Sequence, residues 1–305
     1  MSTVQTLEVP GYQVVQFLGS GARSTIWQVK DKSGQLFALK RVVKRHSSDD
    51  KFIRQAINEY EVGSDLDHDS IRHIYQLSRV KRWLAVREVH ILMEFCEGIN
   101  VQEARPSNIA DILRIFSEVA SALAYMNSRG YVHADMKPNN ILIGPDGTVK
   151  IIDLGQSCRI GTVKERIQGT PDFIAPEQVY RRPLDARTDV FNLGASLYWT
   201  LTGKPITTVL PKKGNLTMKS DLHVKPPDKL NPEVPKPLSN LVIDCVDVHP
   251  ANRPMSMTEV ANRLELIAHT LNRNSKPDNA TPAKAAPSDP EKAEPVPVDP
   301  EDQDT

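Results

Sequence analysis

Cysteine is scarce in this chain of 305 residues, and the scarcity sets the first limits on the protein. Its three cysteines, Cys96, Cys158 and Cys245, are far apart in the sequence, which excludes a disulfide framework and the close spacing of a zinc site. We therefore expect a reducing compartment, the cytoplasm.

Long apolar runs and net charge are also missing. No apolar run approaches the roughly 18 residues of a membrane span, and the polar N-terminus is unlike a signal peptide. The 38 basic and 38 acidic residues cancel, which argues against binding to nucleic acid or acidic lipid through overall charge. With 39% hydrophobic residues, the chain is long enough to form two lobes around a cleft.

Two short polar stretches contain the candidate catalytic and metal-binding residues. Residues 133–140 include Asp135, Lys137 and Asn140, and Asp153 follows a short apolar run on a tight glycine turn. Transfer of a phosphoryl group from ATP requires a carboxylate that orients the attacking hydroxyl, a cation near the moving group and oxygen ligands for magnesium. The same residue types are also ordinary in solvated loops, so the rest of the chain must decide between these interpretations.

In their spacing, these stretches resemble the catalytic loop and the magnesium-binding motif of the eukaryotic-type (Hanks-type) serine/threonine protein kinase family. The resemblance implies that Asp135 is the catalytic base and Lys137 the lysine that contacts phosphate. It also implies that Asn140 and Asp153 are metal ligands, with ATP and Mg²⁺ bound together. Leu154 replaces the family's phenylalanine and keeps an apolar side chain.

A glycine-rich stretch upstream fits the same family. Leu18, Gly19 and Gly21 follow a strand-like run, and a glycine hairpin can lay its N–H groups over phosphates. Ser24 stands where the family has its third glycine, which puts the closeness of that contact in doubt. We assign Leu18, Gly19 and Gly21 to the nucleotide site.

A lysine and its predicted partner come next. Lys40 ends an apolar strand, and by resemblance it holds the α- and β-phosphates and pairs with a glutamate on the following helix. That helix is predicted over residues 49–66. We assign Glu59 to the pair, with Glu61 as the competing candidate.

Gly63 makes this helix unusual. It lies one turn after Glu59, where the family has a bulky apolar residue, and glycine leaves nothing to pack. One hypothesis is that the Lys40–Glu59 pair is therefore weakly held. The alternative is that neighbours such as Leu66 or Leu77 fill the space.

Residues 90–98 are predicted to form a buried strand that ends in a hinge. By resemblance, backbone groups of Glu94 and Cys96 hydrogen-bond adenine, and Met93 closes the back of the pocket. Purine pockets need apolar surface on both faces of the ring. The residues expected to supply it are Ile26, Ala38 and Leu142.

The stretch 169–177 resembles the end of a kinase activation segment. We expect Glu177 to form a buried ion pair with Arg253, and Asp189 to hydrogen-bond the backbone of the catalytic loop. Ala134 replaces an arginine that in the family pairs with a phosphorylated residue of this segment. Activation is therefore predicted to depend less on a phosphate there.

The substrate class follows from two positions. Lys137 and Thr170 resemble the branch of the family that phosphorylates serine and threonine in proteins, and Thr170 is expected to brace Asp135 and Lys137. Ser157 and Thr162 are the candidates for autophosphorylation, although loop hydroxyls often have no such role.

The resemblance implies an α+β fold, the bilobal protein-kinase fold. An antiparallel sheet with one helix forms the small lobe at 12–97, and a mainly helical large lobe follows at 98–271. Residues 1–11 are a leader. The tail at 272–305 is rich in Pro, Ala and acidic residues, and we expect it to be disordered. The Lys-rich segment 210–237 is either a solvated insert or a loop that recruits acidic substrates.

The function predicted is that of a protein serine/threonine kinase that uses ATP and Mg²⁺. The alternative is a nucleotide-binding pseudokinase, an interaction module that keeps the fold without catalysis. Features in favour of the alternative are the four departures from the family pattern at Ser24, Gly63, Ala134 and Leu154. Retention of the catalytic and metal-binding residues favours the enzyme.

Overall fold

The structure, a computed structural model, describes residues 9–21, 23–82, 85–206 and 224–274. The first half of the Lys-rich segment 210–237, and the tail from residue 275, lie outside these ranges. Within them, no helix is long and apolar enough to cross a membrane.

The small lobe is a five-stranded antiparallel sheet with a helix on one face. The strands are β1 (Gln13–Gly21), β2 (Ser24–Lys30), β3 (Leu36–Val43), β4 (Ile74–Arg82) and β5 (Ala85–Glu94), in the order β1-β2-β3-β5-β4. Helix α1 (Asp50–Gly63) packs on β3, β4 and β5. Its buried Ile53, Ala56 and Val62 recur at helical spacing, which explains why this stretch forms an amphipathic helix.

The register of the sheet places the predicted nucleotide residues. Ala38 pairs with Met93 across β3 and β5, and Lys40 pairs with Ile91 and, on the other side, with Ile26. Because side chains alternate along a strand, Ala38 and Lys40 share one face of β3. Leu39, between them, belongs to a separate apolar cluster on the opposite face.

The large lobe is mainly helical, as predicted. It contains α2 (Ile109–Ser128), α3 (Pro176–Val179), α4 (Ala186–Thr202), α5 (Lys236–Cys245), α6 (Met257–Asn274) and five short strands, β6 (Ile99–Asn100), β7 (Tyr131–Val132), β8 (Ile141–Ile143), β9 (Val149–Ile151) and β10 (Cys158–Arg159). Strands β6, β8 and β9 form one sheet, and β7 pairs with β10. Helix α6 runs three residues past the predicted domain boundary at 271.

Helix α2 is the centre of this lobe. Asn108 caps it by accepting a 2.7 Å hydrogen bond from the N–H of Ala110, and Gly130 follows its end with a φ of +82°. Apolar side chains recur along it at three- and four-residue steps and are buried, at Ile112, Ile115, Phe116, Val119, Leu123 and Met126.

The predicted pair of Glu177 and Arg253 is present and bidentate. The Nη1–Oε1 and Nη2–Oε2 distances are 2.8 and 3.0 Å, and the Arg253 side chain is fully buried. The Thr188 hydroxyl donates a further 2.9 Å bond to Glu177, so the carboxylate is well supplied with donors. The pair thereby joins α3 to the chain that precedes α6.

The expectation that Gly63 leaves nothing to pack is wrong. Ile74, the first residue of β4, fills the position, where sequence analysis had considered Leu66 and Leu77. A Cβ built on Gly63 would lie 2.3 Å from Ile74 Cδ1 and 3.2 Å from Ile74 Cβ. The small residue lets α1 lie directly on β4, and the Ile74 side chain replaces the missing one.

We expect the Gly63→Ala substitution to lower the free energy of unfolding by about 1–3 kcal/mol, because the new methyl group overpacks Ile74. Urea unfolding measures the effect. In an Ile74→Ala background the same substitution should cost much less, since the colliding atoms beyond Cβ are gone. An equal cost in both backgrounds would contradict the contact.

Candidate active site

The loop at residues 133–140 is held by a buried carboxylate. Asp189 of α4 accepts hydrogen bonds from the N–H groups of His133 (3.0 Å) and Ala134 (2.9 Å), and from the Asn127 amide (2.9 Å). Burial raises the pKa of Asp189, while the His133 ring and these donors oppose that rise. The predicted contact of Asp189 with the loop backbone is therefore present.

Ala134 has an unusual backbone conformation for a residue with a side chain. Its φ is +60°, in the left-handed region. Its N–H is held by Asp189, and its carbonyl accepts a 2.7 Å bond from Gln178 Nε2. The hydrogen bonds on both sides stabilise a conformation that would otherwise be strained. The sequence did not predict this contact of Gln178, because no motif around a single glutamine indicates which buried group it will bind.

Asp135, Lys137 and Thr170 form a closed set of hydrogen bonds. Lys137 Nζ lies 2.9 Å from Asp135 Oδ2 and 2.9 Å from Thr170 Oγ1. The Thr170 N–H and hydroxyl each lie 3.1 Å from Asp135 Oδ1. The structure thus brings together the three residues expected to meet here, and both oxygens of the Asp135 carboxylate are fixed.

Asn140 and Asp153 offer oxygens to a cation. Asn140 Nδ2 donates a 2.9 Å bond to the Asp135 carbonyl, and Asp153 Oδ1 accepts a 2.9 Å bond from the Gly155 N–H. These bonds orient the two side chains and leave the Asn140 amide oxygen and Asp153 Oδ2 available. In the described part of the chain, no cluster of three or more His, Cys, Asp or Glu side chains could hold a metal. A donor set of two oxygens fits Mg²⁺, which keeps water and phosphate among its ligands.

Lys40 and Glu59 form the predicted ion pair. Lys40 Nζ lies 2.6 Å from Glu59 Oε2, and the Glu59 side chain is only 2% exposed. Glu61, the competing candidate, is exposed on the other side of the helix. The pair is formed and buried, which argues against the hypothesis that Gly63 leaves it weakly held.

The charges around Lys40 are coupled to Asp153. Burial alone would lower the pKa of Lys40, but the carboxylates of Glu59 and Asp153 outweigh it and raise that pKa. Burial likewise acts to raise the pKa of Asp153, and the Lys40 cation and the Gly155 N–H outweigh it, so this pKa is lowered. Asp153 is therefore ionised and ready to bind a cation at neutral pH.

Gly19, near the end of β1, has open space around it, whereas a Cβ built on Gly21 would lie 3.1 Å from Ser24 Oγ. A Cβ built on Gly19 would meet no protein atom within 4 Å, so packing within the protein does not require this glycine. Gly21 pairs with Ser24 across the turn, and Leu18 is exposed. A glycine without a packing role is consistent with close approach of a ligand.

Arg23 ties this hairpin to the start of α1. With a φ of +68°, it places its Nε 3.0 Å from Asp49 Oδ1. Asp49 Oδ2 accepts the N–H groups of Arg45 (2.9 Å) and His46 (3.0 Å). The His46 N–H is the largest of the influences that lower the pKa of Asp49. Sequence analysis missed this ion pair, because its partners are 26 positions apart in no recognisable motif.

The hinge residues are only partly free for a ligand. The Glu94 N–H donates a 2.9 Å bond to the His73 carbonyl, and the Glu94 carbonyl accepts a long 3.9 Å contact from the Cys96 thiol. Bonding of adenine by the Glu94 carbonyl and the Cys96 backbone stays a prediction. The Glu94 carboxylate pairs with Lys150 at 2.7 Å. Burial raises the pKa of Cys96, which keeps its thiol neutral. Ala38 and Leu142, expected on the faces of the ring, are buried, and Ile26 packs against the same core. Met93, expected at the back of the pocket, is also buried.

Arg72 is a further residue that sequence analysis did not find. Its Nη1 donates to the Ile152 carbonyl at 3.2 Å and lies 3.7 Å from Met93 Sδ. The guanidinium therefore connects the back of the pocket to the residue before Asp153. Its Nε is buried and has no hydrogen-bond partner among the described residues.

The structure contradicts the suggestion that Ser157 is an accessible phosphorylation site. Its side chain is fully buried and its hydroxyl lies 3.4 Å from the His133 carbonyl. The Asn58 amide holds the Ser157 carbonyl at 2.9 Å, which ties α1 to the segment after Asp153. Thr162 is partly exposed, and its hydroxyl donates to the Arg159 carbonyl.

Comparison with known proteins identifies the family to which this chain belongs. The family model described as "Protein kinase domain" matches residues 12–264, and the chain belongs to this family. Serine/threonine-protein kinase PrkC of Bacillus subtilis is 27% identical over 79% of this chain and 38% of its own length. Serine/threonine-protein kinase PknD of Chlamydia pneumoniae is 26% identical over 83% of this chain and 31% of its own. The chain thus spans well under half the length of these curated relatives.

We expect the Lys40→Met substitution to lower the free energy of unfolding by about 3–5 kcal/mol near neutral pH, because it leaves two buried carboxylates without their cation. This loss of unfolding free energy should become smaller as the pH is lowered from about 7.5 to about 5. Without Lys40 the folded-state pKa values of Glu59 and Asp153 rise, and a raised carboxyl pKa contributes stability at low pH that disappears as pH increases through it.

Urea unfolding at the two pH values measures this effect. The matched control is Lys40→Met combined with Glu59→Gln, which removes one of the two charges and should recover part of the loss at neutral pH. A loss that does not change with pH would contradict the electrostatic explanation.

Proposed function

We propose that this chain transfers the γ-phosphate of ATP to serine and threonine hydroxyls of proteins. The observation that supports this most directly is the hydrogen-bonded set of Asp135, Lys137 and Thr170 beside the oxygens of Asn140 and Asp153. The family, and the relatives named serine/threonine-protein kinases, support the same reaction.

In this proposal, the chemistry at Asp135 is a single displacement. The substrate hydroxyl binds to the Asp135 carboxylate, and its oxygen attacks the γ-phosphorus in line with the bond to the β–γ bridging oxygen. That bond breaks, ADP leaves, and the hydroxyl proton passes to Asp135. Lys137 lies within 2.9 Å of Asp135, where its charge can stabilise the transferring phosphoryl group.

The nucleotide is held from both lobes. Lys40, kept in place by Glu59, binds the α- and β-phosphates, and the N–H groups of the hairpin at Gly19 and Gly21 cover them. Asn140 and Asp153 hold Mg²⁺, which supplies positive charge to the phosphate oxygens when bound. The rate enhancement proposed here arises from positioning and electrostatics.

Two further assignments belong to this proposal. Of the two hydroxyls considered for autophosphorylation, Thr162 remains, because it is partly exposed. We also propose a cytoplasmic location, with support from the three cysteines, all of which are free.

The Asp135→Asn variant should reduce phosphate incorporation, both into itself and into myelin basic protein, by about 10²–10⁴-fold, because the hydroxyl loses its base. Radiolabelled ATP with magnesium measures incorporation. The Asp135→Asn variant should still show a rise in melting temperature on addition of Mg-ATP, whereas Asp153→Asn should lose most of that rise.

The outcomes separate the enzyme from a pseudokinase. Incorporation that persists in Asp135→Asn would refute the role of this carboxylate. A wild-type chain that is stabilised by Mg-ATP but incorporates no phosphate would support the nucleotide-binding interaction module instead. Mapping of the labelled residues tests the preference for serine and threonine.

Activity should also be insensitive to a phosphate near Ala134. This residue lies in a small apolar cluster with Val132, Cys158 and Leu184, so the cluster itself offers no cation to a phosphorylated side chain. We expect phosphatase treatment to leave activity on a protein substrate within about twofold of that after treatment with heat-killed phosphatase. Loss of activity after treatment would refute this prediction.

A further inference from the structure

A cleft of about 190 Å³ lies between α1 and the segment that follows Asp153. Its lining includes four basic side chains, Lys51, Arg54, Lys164 and Arg166, and one acidic side chain, Glu165. We call it the basic cleft. In a chain whose formal net charge is zero, this is a local concentration of positive charge.

The cations of the basic cleft form no ion pair in the described ranges of the chain. The Lys51 ammonium lies 4.9 Å from the centroid of the Phe52 ring, and the Lys164 ammonium donates to the Gln156 carbonyl at 2.7 Å. Of the nearby acids, Asp49 pairs with Arg23 and Asp50 with Lys44, while Glu165 is the single acid in the lining of the cleft itself.

The basic cleft is close to the proposed phosphorylation site. Gln168, on its rim, is two residues before Thr170, whose N–H and hydroxyl contact Asp135. An extended peptide advances about 3.3 Å per residue. A substrate with its hydroxyl at Asp135 therefore reaches the cleft with residues only a few positions away.

We propose that the basic cleft binds carboxylate side chains of the protein substrate, a few residues from the phosphorylated hydroxyl, and so selects acidic sequences. The proposal rests on the kinase activity proposed above. Positive charges that line one cleft and form no ion pair among the described residues favour an anionic partner through Coulomb attraction. The bond between Asn58 and the Ser157 carbonyl fixes the two walls of the cleft against each other.

The test uses two peptides that share a serine acceptor and differ only in charge, with Asp and Glu in one and Asn and Gln in the other. For the wild-type chain, kcat/KM should favour the acidic peptide by about tenfold, the sum of several exposed charge pairs. The triple variant Lys51→Gln, Arg54→Gln, Arg166→Gln should reduce this ratio to about twofold or less. Its kcat/KM for the neutral peptide should not change.

The matched control replaces three exposed basic residues of the small-lobe sheet and its turns, Lys32→Gln, Arg79→Gln and Lys81→Gln, and should keep the full preference. A triple variant that favours the acidic peptide as strongly as the wild-type chain does would overturn the proposal. So would a triple variant with increased activity on the neutral peptide, since the cleft would then be covered by an acidic stretch of this chain, such as residues 289–304.

A binding measurement separates this proposal from the proposed activity. Fluorescence anisotropy of the labelled acidic peptide, without ATP, should show affinity that falls with salt and falls again in the triple variant. Binding of this kind without turnover would refute the proposed kinase activity but support the binding of acidic peptides in the basic cleft. Turnover of both peptides with no charge preference would refute the proposed role of the basic cleft but support the proposed kinase activity.

Discussion

The arrangement of the catalytic loop depends on the buried carboxylate of Asp189. A charge removed from water must be surrounded by donors, and Asp189 finds them in the backbone of His133 and Ala134 and in Asn127. That requirement fixes the chain immediately before Asp135 and maintains the left-handed conformation of Ala134. The contacts that Asp135 makes with Lys137 and Thr170 start from this fixed point.

A second set of buried polar groups connects the loop to the activation segment. Gln178 donates to the Ala134 carbonyl and accepts from Asn192 at 3.0 Å and from the Ala175 N–H at 2.9 Å. Because Gln178 is buried and holds the Ala134 carbonyl, a movement of α3 would break a hydrogen bond at residues 133–140. Gln178 thus links helix α3 by hydrogen bonds to the loop that contains the proposed catalytic residues.

In the small lobe, ion pairs connect the segments around the proposed nucleotide site. Lys40 lies between Glu59 and Asp153, so α1 and the metal-binding segment share one cation. Arg23 joins the glycine hairpin to the start of that helix, and Asn58 joins its middle to the segment after Asp153. Helix α1 is therefore connected to the hairpin, to Lys40 and to the segment after Asp153, and the basic cleft lies along the same helix.

The amino-acid sequence by itself determined the order of the chemical groups and the apolar periodicity of α2. Its resemblance to the protein-kinase family implied the bilobal α+β fold. It also predicted the pairs Lys40–Glu59 and Glu177–Arg253, through resemblance to a family. Only the tertiary structure showed that Ile74 fills the space at Gly63, that Ser157 is buried, and that α1 and the activation segment bring four cations together. Those facts depend on contacts between segments far apart in the chain, where helix rotation and strand register decide which side chains meet.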